Sequence, residues 1–209
     1  GRLERRWLSP KDAGLYFSII LRPKFVQSIW PLLTLMSAVA VHEALLNACE
    51  VETDIKWPND VLVNDKKLCG ILAETVETPQ GRAVVIGIGI NLTTNSFPPE
   101  LAAVATSVAA TARRTPDLEV ILKALVLSLV GYYQVLQKPG GPETIAREWS
   151  KRSSYAEGRR IRVSCGVESF EGTTRGIEGD GALRVELSNG EIKTVRAGDV
   201  TAVRSSIGA

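Results

Sequence analysis

The sequence is poor in the residues that nucleophilic and metal-dependent enzymes commonly use. It has a single histidine, His42, and three cysteines, Cys49, Cys69 and Cys165, which are far apart and form no CxxC pair. This distribution disfavours a disulfide framework and a protein-bound metal, and it favours a reducing, cytoplasmic compartment. The chain also lacks GxSxG, Walker A and GxGxxG sequences, so the usual serine nucleophile and phosphate-binding loops are not indicated.

A strong net charge and a long apolar run are lacking as well. Lysine and arginine number 25, and aspartate and glutamate number 23, which leaves a formal net charge of +2. This balance provides no general attraction to nucleic acid or to an anionic membrane, so an anion must be bound locally. The most apolar stretch, Ile29 to Val41, is too short to span a bilayer. We therefore expect neither DNA nor a membrane as a partner.

Hydrophobic periodicity predicts an α/β part followed by a small β part. Apolar residues recur at helical spacing from Ser28 to about Ala48 and from Leu118 to Leu136, and the runs before and between these helices favour strands. Beyond about residue 155, short alternating segments are separated by glycine-containing turns, which is typical of a small β-barrel. We predict an α/β (α+β) domain, a mixed sheet flanked by helices, over residues 1–154 and a barrel over residues 155–209.

The first of three polar segments that a buried core would not contain is the basic N-terminal stretch. Arg2, Arg5 and Arg6 are followed by Trp7. Guanidinium groups suit phosphate oxygens, and an adjacent aromatic ring suits a stacked base. The same residues fit a solvated basic turn, which composition alone favours.

The second segment is Lys56-Trp57-Pro58-Asn59-Asp60, between two predicted strands. A position that should stay apolar instead presents a lysine, an amide and a carboxylate together. Pro58 restricts the backbone, so Asn59 and Asp60 can point to one place. An ordinary loop with a surface tryptophan accounts for the composition equally well.

The third segment combines Lys67 and Gly70 with the alternating Gly87 and Gly89 and with Asn91. Glycine inside a strand is tolerated where a ligand or another backbone comes close, and close strand packing is the usual explanation. In the ligand case, Lys67 places an ammonium group beside a glycine-lined surface. Together the three segments predict a basic, polar site that can hold a carboxylate and a nucleotide without a protein nucleophile.

In this order, the segments resemble the biotin protein ligase family. The similar stretches are GRLERRWLSPKDAGLYFSIILRP (Gly1–Pro23), KWPNDVLVNDKKLCGIL (Lys56–Leu72), VVIGIGINL (Val84–Leu92) and ATS (Ala105–Ser107). The segment from Gly158 to Val200 is similar to the SH3-like C-terminal domain of that family. The resemblance spans nearly the whole chain. It implies the fold shared by class II aminoacyl-tRNA synthetases and biotin ligases, followed by an SH3-like barrel.

The resemblance implies an ATP-dependent ligase. Members of the family join biotin to ATP with Mg²⁺, release pyrophosphate and hold biotinyl-5′-AMP. They then pass biotin to one lysine of a biotin carboxyl carrier domain. Members often pair through sheet edges, so a homodimer is an implied option.

The resemblance also gives roles to single residues. Gly1 and Arg2 match the end of the basic loop that folds over biotin and the adenylate, and Trp7 matches the aromatic residue that stacks on adenine. Lys67 matches the lysine that contacts the biotin carboxylate and the α-phosphate, and Gly70 matches a glycine that lies against biotin.

Further matches concern the nucleotide and the acceptor. Asn91 matches the asparagine that recognises adenine, and Asn59 and Asp60 match polar residues beside the phosphate and the incoming lysine. The implied catalytic residues are Arg2, Lys67 and Asp60. The implied biotin-binding residues are Gly1, Arg2, Lys67 and Gly70, and the implied ATP-binding residues are Trp7, Asn59, Gly89 and Asn91.

Departures from the family pattern leave two other functions open. Glu4 stands where many members have a glycine, and the chain begins at Gly1 without the preceding family segments, so we expect further residues upstream. No winged helix-turn-helix precedes the catalytic segment, which gives no support to DNA repression. The alternatives are a lipoate-type ligase, which shares the fold and the adenylate chemistry, and a non-catalytic homologue that acts only as a binding module.

Overall fold

The first of two β-sheets carries the motif-bearing strands. The computed structural model describes residues 10–112 and 117–203. Five strands form this sheet in the order β1-β5-β4-β3-β2, with antiparallel neighbours. The sheet that was predicted as mixed is therefore antiparallel in its five strands, and an isolated parallel bridge joins Lys67 to Ala105. The strands are β1 (Gly14–Leu21), β2 (Asp54–Lys56), β3 (Asp60–Val63), β4 (Lys66–Thr78) and β5 (Gly81–Asn91).

The turn between β3 and β4 follows from its two residues. Asn64 and Asp65 both have positive φ angles, 51° and 61°. A two-residue hairpin turn needs this backbone, and asparagine and aspartate tolerate it better than most residues. The hairpin turn predicted at this point of the sequence is confirmed.

Helices cover one side of the first sheet. Helix α1 packs against β2, β3 and β4, and α3 and α4 pack against α1. A three-residue 3-10 turn that contains Ser28 precedes α1, so the helix itself begins at Leu32, later than predicted. Helix α3 has the predicted bounds, and the Asp117 carboxylate caps its first turn. The helices are α1 (Leu32–Cys49), α2 (Val108–Thr111), α3 (Leu118–Leu136) and α4 (Gly141–Lys151).

Both long helices are apolar enough to cross a membrane by length and composition alone. In α1, 67% of the 18-residue apolar segment is buried, as in the core helix of a globular domain. In α3 the share is 17%, and Val120, Leu127 and Val130 are exposed. The prediction that the most apolar stretch, Ile29 to Val41, is too short to span a bilayer is wrong by length and composition, because α1 continues the apolar segment to Cys49. Helix α1 therefore fits the core of a globular domain, whereas α3 leaves several apolar side chains exposed.

The second sheet forms the C-terminal part of the chain. Its strands are antiparallel in the order β10-β6-β7-β8-β9. The predicted turns contain Gly181 and Gly190, both with positive φ angles, +87° and +84°. The predicted boundary at residue 154 falls between α4 and β6 and stays a prediction. The strands are β6 (Glu157–Cys165), β7 (Glu168–Ile177), β8 (Leu183–Glu186), β9 (Ile192–Val195) and β10 (Asp199–Ala202).

Candidate active site

One row of residues crosses all five strands of the first sheet. The strand register pairs Lys56 with Asp60, Asp60 with Gly70, Gly70 with Gly89, and Gly89 with Tyr16. Paired residues of antiparallel strands point to the same face of a sheet. The fold therefore brings the charged residues of the second polar segment beside the glycines of the third.

The residues next to this row point into the core. Val61, Cys69 and Ile90 have no exposed surface, and Leu15 is 7% exposed. Because side chains alternate between the faces of a strand, the row lies on the face of the sheet opposite α1. We call this side the glycine face, defined by Gly70, Gly87 and Gly89.

The glycine face is flat where Gly87 lies. This residue pairs with Leu72 and Ser18 in the neighbouring row. A Cβ atom at Gly87 would have no heavy atom of the described residues closer than 3.9 Å. Strand packing between described residues therefore does not require a glycine here, and a ligand surface accounts for it better.

A β-bulge turns Lys67 onto the glycine face. Val61 pairs with Cys69, whereas the next residue, Leu62, pairs with Lys67, so β4 contributes one residue more than β3. A bulge re-aims the side chains beyond it, and without it Lys67 would share the core-facing alternation of Cys69. The Lys67 Nζ atom instead lies 2.6 Å from Asp60 Oδ1.

Asp60 lies between two lysines. Its Oδ1 pairs with Lys67 Nζ at 2.6 Å, and its Oδ2 with Lys56 Nζ at 3.6 Å. The three side chains are only 18% (Asp60), 21% (Lys56) and 35% (Lys67) exposed, so salt screens them less than surface charges. Two ammonium groups against one carboxylate leave an excess of positive charge, which suits an anionic ligand.

Asn91 fixes the loop that borders Lys67. Its Nδ2 donates to Thr106 O at 3.0 Å, and the side chain is buried in a residue that is 4% exposed. The Lys67 backbone N–H donates to Val104 O at 2.8 Å, and Thr106 N–H donates to Lys67 O at 2.9 Å. The predicted residues Lys67 and Asn91 are thus joined through the segment that contains the ATS sequence.

Asn59 is bound to the backbone of β4. Its Nδ2 donates to Ile71 O at 2.7 Å, and Ile71 N–H donates to Asn59 O at 2.9 Å. The Trp57–Pro58 peptide bond before it is cis. These four residues help to line a cavity of about 380 Å³, which α1 and the C-terminal part also border. The Asn59 amide nitrogen is therefore engaged away from the row, and its role in ATP binding stays a prediction.

Tyr16 ends the row on β1. An ideal Cβ at Gly14 would lie 2.7 Å from the Tyr16 hydroxyl oxygen and 2.8 Å from Ile90 O. Glycine at position 14 therefore leaves the space that the phenol occupies. Partial burial raises the pKa of Tyr16, so the phenol is neutral near pH 7.

Cys69 and His42 have structural rather than chemical roles. Complete burial raises the pKa of the Cys69 thiol far above its usual range, which keeps it protonated and unreactive. The Nδ1 atom of His42 lies 2.8 Å from Thr53 Oγ1. Burial, followed by the charge of Arg152, lowers the pKa of His42. The Thr53 contact and the lowered pKa are typical of a histidine with a structural role.

Sequence reasoning missed two residues of this arrangement. Lys56 stood in the second polar segment, but its contact with Asp60 depends on the register between β2 and β3. Thr106 lies in the ATS stretch, but that stretch predicted no role for it, because its contacts with Asn91 and Lys67 are made by its backbone. The predicted Gly1, Arg2 and Trp7 lie outside the described residues.

Family models match both parts of the chain. Residues 1–91 match the Biotin/lipoate A/B protein ligase family, and residues 158–201 match the Biotin protein ligase C terminal domain. The biotin--[acetyl-CoA-carboxylase] ligase of Mycobacterium tuberculosis is 32% identical over 209 residues, which cover 98% of this chain and 75% of that protein. The chain belongs to the biotin protein ligase family.

Other members of the biotin protein ligase family agree with this. The bifunctional ligase/repressor BirA of Bacillus subtilis is 38% identical over 205 residues, which cover 96% of this chain and 62% of the relative. The chain thus spans less than two thirds of the length of the BirA relatives it matches. The biotin protein ligase from Aquifex aeolicus, solved in complex with biotin and ATP, superposes with a TM-score of 0.82 at 28% identity, covering 98% of this chain and 84% of that one.

Proposed function

We propose that this protein activates biotin with ATP as biotinyl-5′-AMP and transfers it to a lysine of a biotin carboxyl carrier domain. The observation that carries the proposal is the placement of Lys67 and Asp60 at the edge of the glycine face. Biotin and ATP are held together in a relative with the same fold. In this proposal Gly70 lies against biotin, and Gly89, Asn59 and Asn91 lie on the ATP side.

The first step joins two anions. A biotin carboxylate oxygen attacks the α-phosphorus of ATP, the bond from that phosphorus to the β-phosphate oxygen breaks, and pyrophosphate leaves with the electron pair. Negative charge grows on the α-phosphoryl oxygens, so an ammonium group fixed beside them stabilises the transition state. Lys67 supplies this group, and Asp60 holds its Nζ in place. Arg2 and Trp7 complete the proposed site as the second cation and the adenine platform.

ATP enters as its Mg²⁺ complex in this proposal. Among the described residues, no group of three or more histidines, cysteines, aspartates or glutamates could hold a metal ion. Asp60 is paired with two lysines, which makes it a poor cation ligand. Phosphate oxygens and water are the ligands that Mg²⁺ commonly keeps in nucleotide sites, so the donor set fits a metal carried in by the substrate.

The second step passes biotin to the carrier. The neutral acceptor amine attacks the acyl carbon, the bond from that carbon to the phosphate oxygen breaks, and AMP leaves. In this proposal Asp60 orients the acceptor and takes its proton once Lys67 contacts the phosphate. The lysine pair around Asp60 then keeps the departing AMP neutralised.

One experiment tests the proposal and separates the alternatives. The protein is incubated with ATP, Mg²⁺, biotin and a carrier domain, and the carrier is analysed by mass spectrometry. Biotinylation of one lysine is expected. Transfer of lipoate in place of biotin would favour the lipoate-type ligase, and binding of biotinyl-5′-AMP analogues without any transfer would favour a non-catalytic module. The match of residues 158–201 to the biotin ligase C-terminal domain favours biotin.

The cytoplasmic location and a homodimer belong to the same proposal. A ligase of this kind needs ATP and a carboxylase subunit, both of which the cytoplasm contains. Sedimentation with and without biotin and ATP tests the homodimer, and a monomer under both conditions would contradict it.

A further inference from the structure

The hairpin that carries Asp60 is held by residues that follow α4. Ser153 Oγ donates to Ile55 O at 2.5 Å. The backbone N–H and the hydroxyl of Ser154 donate to the two carboxylate oxygens of Asp54, at 2.7 and 2.6 Å. The Trp57 indole N–H donates to Gly181 O at 3.0 Å, across 124 positions of sequence. The β2–β3 hairpin is thus bound to the segment that follows α4, and through Trp57 it is bound to the turn before β8 in the C-terminal part.

The acceptor of the Trp57 hydrogen bond, Gly181 O, lies in a turn that is held in place by its own contacts. The Gly181 N–H donates to Glu178 O at 2.9 Å, and the Glu178 N–H donates to Ala182 O at 2.8 Å. A Cβ at Gly181 would lie 3.1 Å from side-chain atoms of Leu32 and Leu35. The turn is therefore closed by its own hydrogen bonds and seated against the start of α1.

Trp57 is buried and lies only a few residues before Asp60. Trp57 is 2% exposed, so its N–H has little access to water, and losing its acceptor would leave a buried donor unsatisfied. Only Pro58 and Asn59 separate it from Asp60. Pro58 restricts one backbone angle, and Asn59 is bound to Ile71 by two hydrogen bonds. A shift of Trp57 therefore reaches the Asp60 carboxylate to the extent that it strains the two Asn59–Ile71 hydrogen bonds.

We infer that Trp57 is a positioning residue, through which the C-terminal part of the chain sets the distance between the Asp60 carboxylate and Lys67. This inference rests on the proposed function. The glycine face, which binds the substrates in the proposed function, does not depend on Trp57. The alignment of Lys67 with the charge that develops on the α-phosphoryl oxygens does depend on it. Loss of the contact therefore lowers the rate of the chemical step and leaves substrate binding nearly unchanged.

The test replaces Trp57 with phenylalanine, which keeps an aromatic ring and removes the N–H donor. We expect kcat for biotin-dependent exchange of pyrophosphate into ATP to fall by at least about tenfold, with the KM values of biotin and ATP within about threefold of wild type. Trp149→Phe is the matched control. Trp149 is fully buried, and its indole N–H has no hydrogen-bond partner among the described residues, so its kcat should stay within about twofold.

A second variant tests the same contact from the other side. Gly181→Ala adds a methyl group against Leu32 and Leu35 in a left-handed backbone and so displaces the acceptor carbonyl. If the two residues act through one bond, the loss in the Trp57→Phe/Gly181→Ala double variant is smaller than the product of the single losses. If the losses multiply, the two residues act independently and the inference is overturned.

The remaining outcomes are also decisive. If Trp57→Phe has the same kcat as the Trp149→Phe control, the inference is overturned. The proposed function still stands in that case, provided that the wild-type protein catalyses the exchange of pyrophosphate into ATP. Absence of exchange in the wild type overturns the proposed function itself. If Trp57→Phe fails to fold, judged by circular dichroism, Gly181→Ala alone replaces it, because it displaces the acceptor carbonyl of the same bond. A lowered kcat at unchanged KM then supports positioning by the C-terminal part, and an unchanged kcat overturns it.

Discussion

Lys67 and Asp60 form an ion pair of 2.6 Å because a bulge in β4 turns Lys67 onto the face that Asp60 occupies. Seven positions separate them in the sequence, and a regular hairpin would place Lys67 with the core-facing residues. Lys56 approaches the same carboxylate from β2 at 3.6 Å. The sheet register thus collects two cations and one anion beside the glycine face.

Lys67→Ala should abolish most of the adenylation activity without unfolding the protein. Removal of a fixed charge from the transition state should lower biotin-dependent pyrophosphate exchange by at least about 100-fold. The side chain is 35% exposed, so the midpoint of thermal unfolding should barely change. Lys66→Ala is the control, because Lys66 is the neighbouring, half-buried lysine, and its Nζ donates to Ala102 O instead of pairing with Asp60. Equal activities of the two variants would refute the phosphate contact.

Asp60→Asn should impair transfer more than binding. The amide keeps the shape of the carboxylate but neither accepts a proton nor holds two ammonium groups. We expect transfer from isolated biotinyl-5′-AMP to a carrier domain to fall by at least about tenfold. The free energy of unfolding should fall by about 1–3 kcal/mol, because the Asp60 side chain is only 18% exposed and both lysines lose their anionic partner. Glu74→Gln, at an exposed position of β4, should transfer at the wild-type rate, and a normal rate for Asp60→Asn would exclude its role.

Gly87→Ala should weaken biotin binding without lowering the stability of the protein. The added methyl has no described neighbour within 3.9 Å, and the loss of glycine flexibility in the unfolded chain should leave the unfolding midpoint unchanged or raise it. The same methyl narrows the glycine face, so the KM for biotin should rise by about tenfold. Gly131→Ala in α3, where a Cβ also meets nothing within 4 Å, should stabilise the protein without changing that KM. An unchanged KM in Gly87→Ala would show that biotin does not contact this position.

His42 should make the protein less stable in mild acid. Burial, with a further effect of Arg152, lowers its pKa in the folded state, so the unfolded chain binds a proton more readily. This contribution to stability is complete above the unfolded pKa of about 6.5 and is lost as the pH falls through that value toward the folded pKa. Urea unfolding of wild type and His42→Asn at several pH values measures it. The two proteins should converge as the pH falls from 7 to 5, and parallel curves would contradict the lowered pKa.

The sequence alone predicted the elements whose signals are local. The apolar spacing of Leu118 to Leu136 matches α3 at both ends, because a helix is specified by neighbours three and four positions apart. The Asn64-Asp65 turn was predicted because it too depends on adjacent residues, which tolerate the positive φ angles of a two-residue turn. The sequence resemblance also predicted the family, since KWPND, KLCGIL and GIGIN are short contiguous motifs. The start of α1 was predicted too early, because Ser28 belongs to a separate 3-10 turn, Gln27–Ile29, and α1 begins only after Pro31.

Only the tertiary structure decided how these motifs combine. The row from Lys56 to Tyr16, the bulge before Lys67 and the bond from Trp57 to Gly181 all join positions that no local pattern links. Strand register and the contact between the two sheets are set by burying apolar faces over the whole chain. A shift of one residue in β4 would keep every motif in the sequence and move Lys67 away from Asp60.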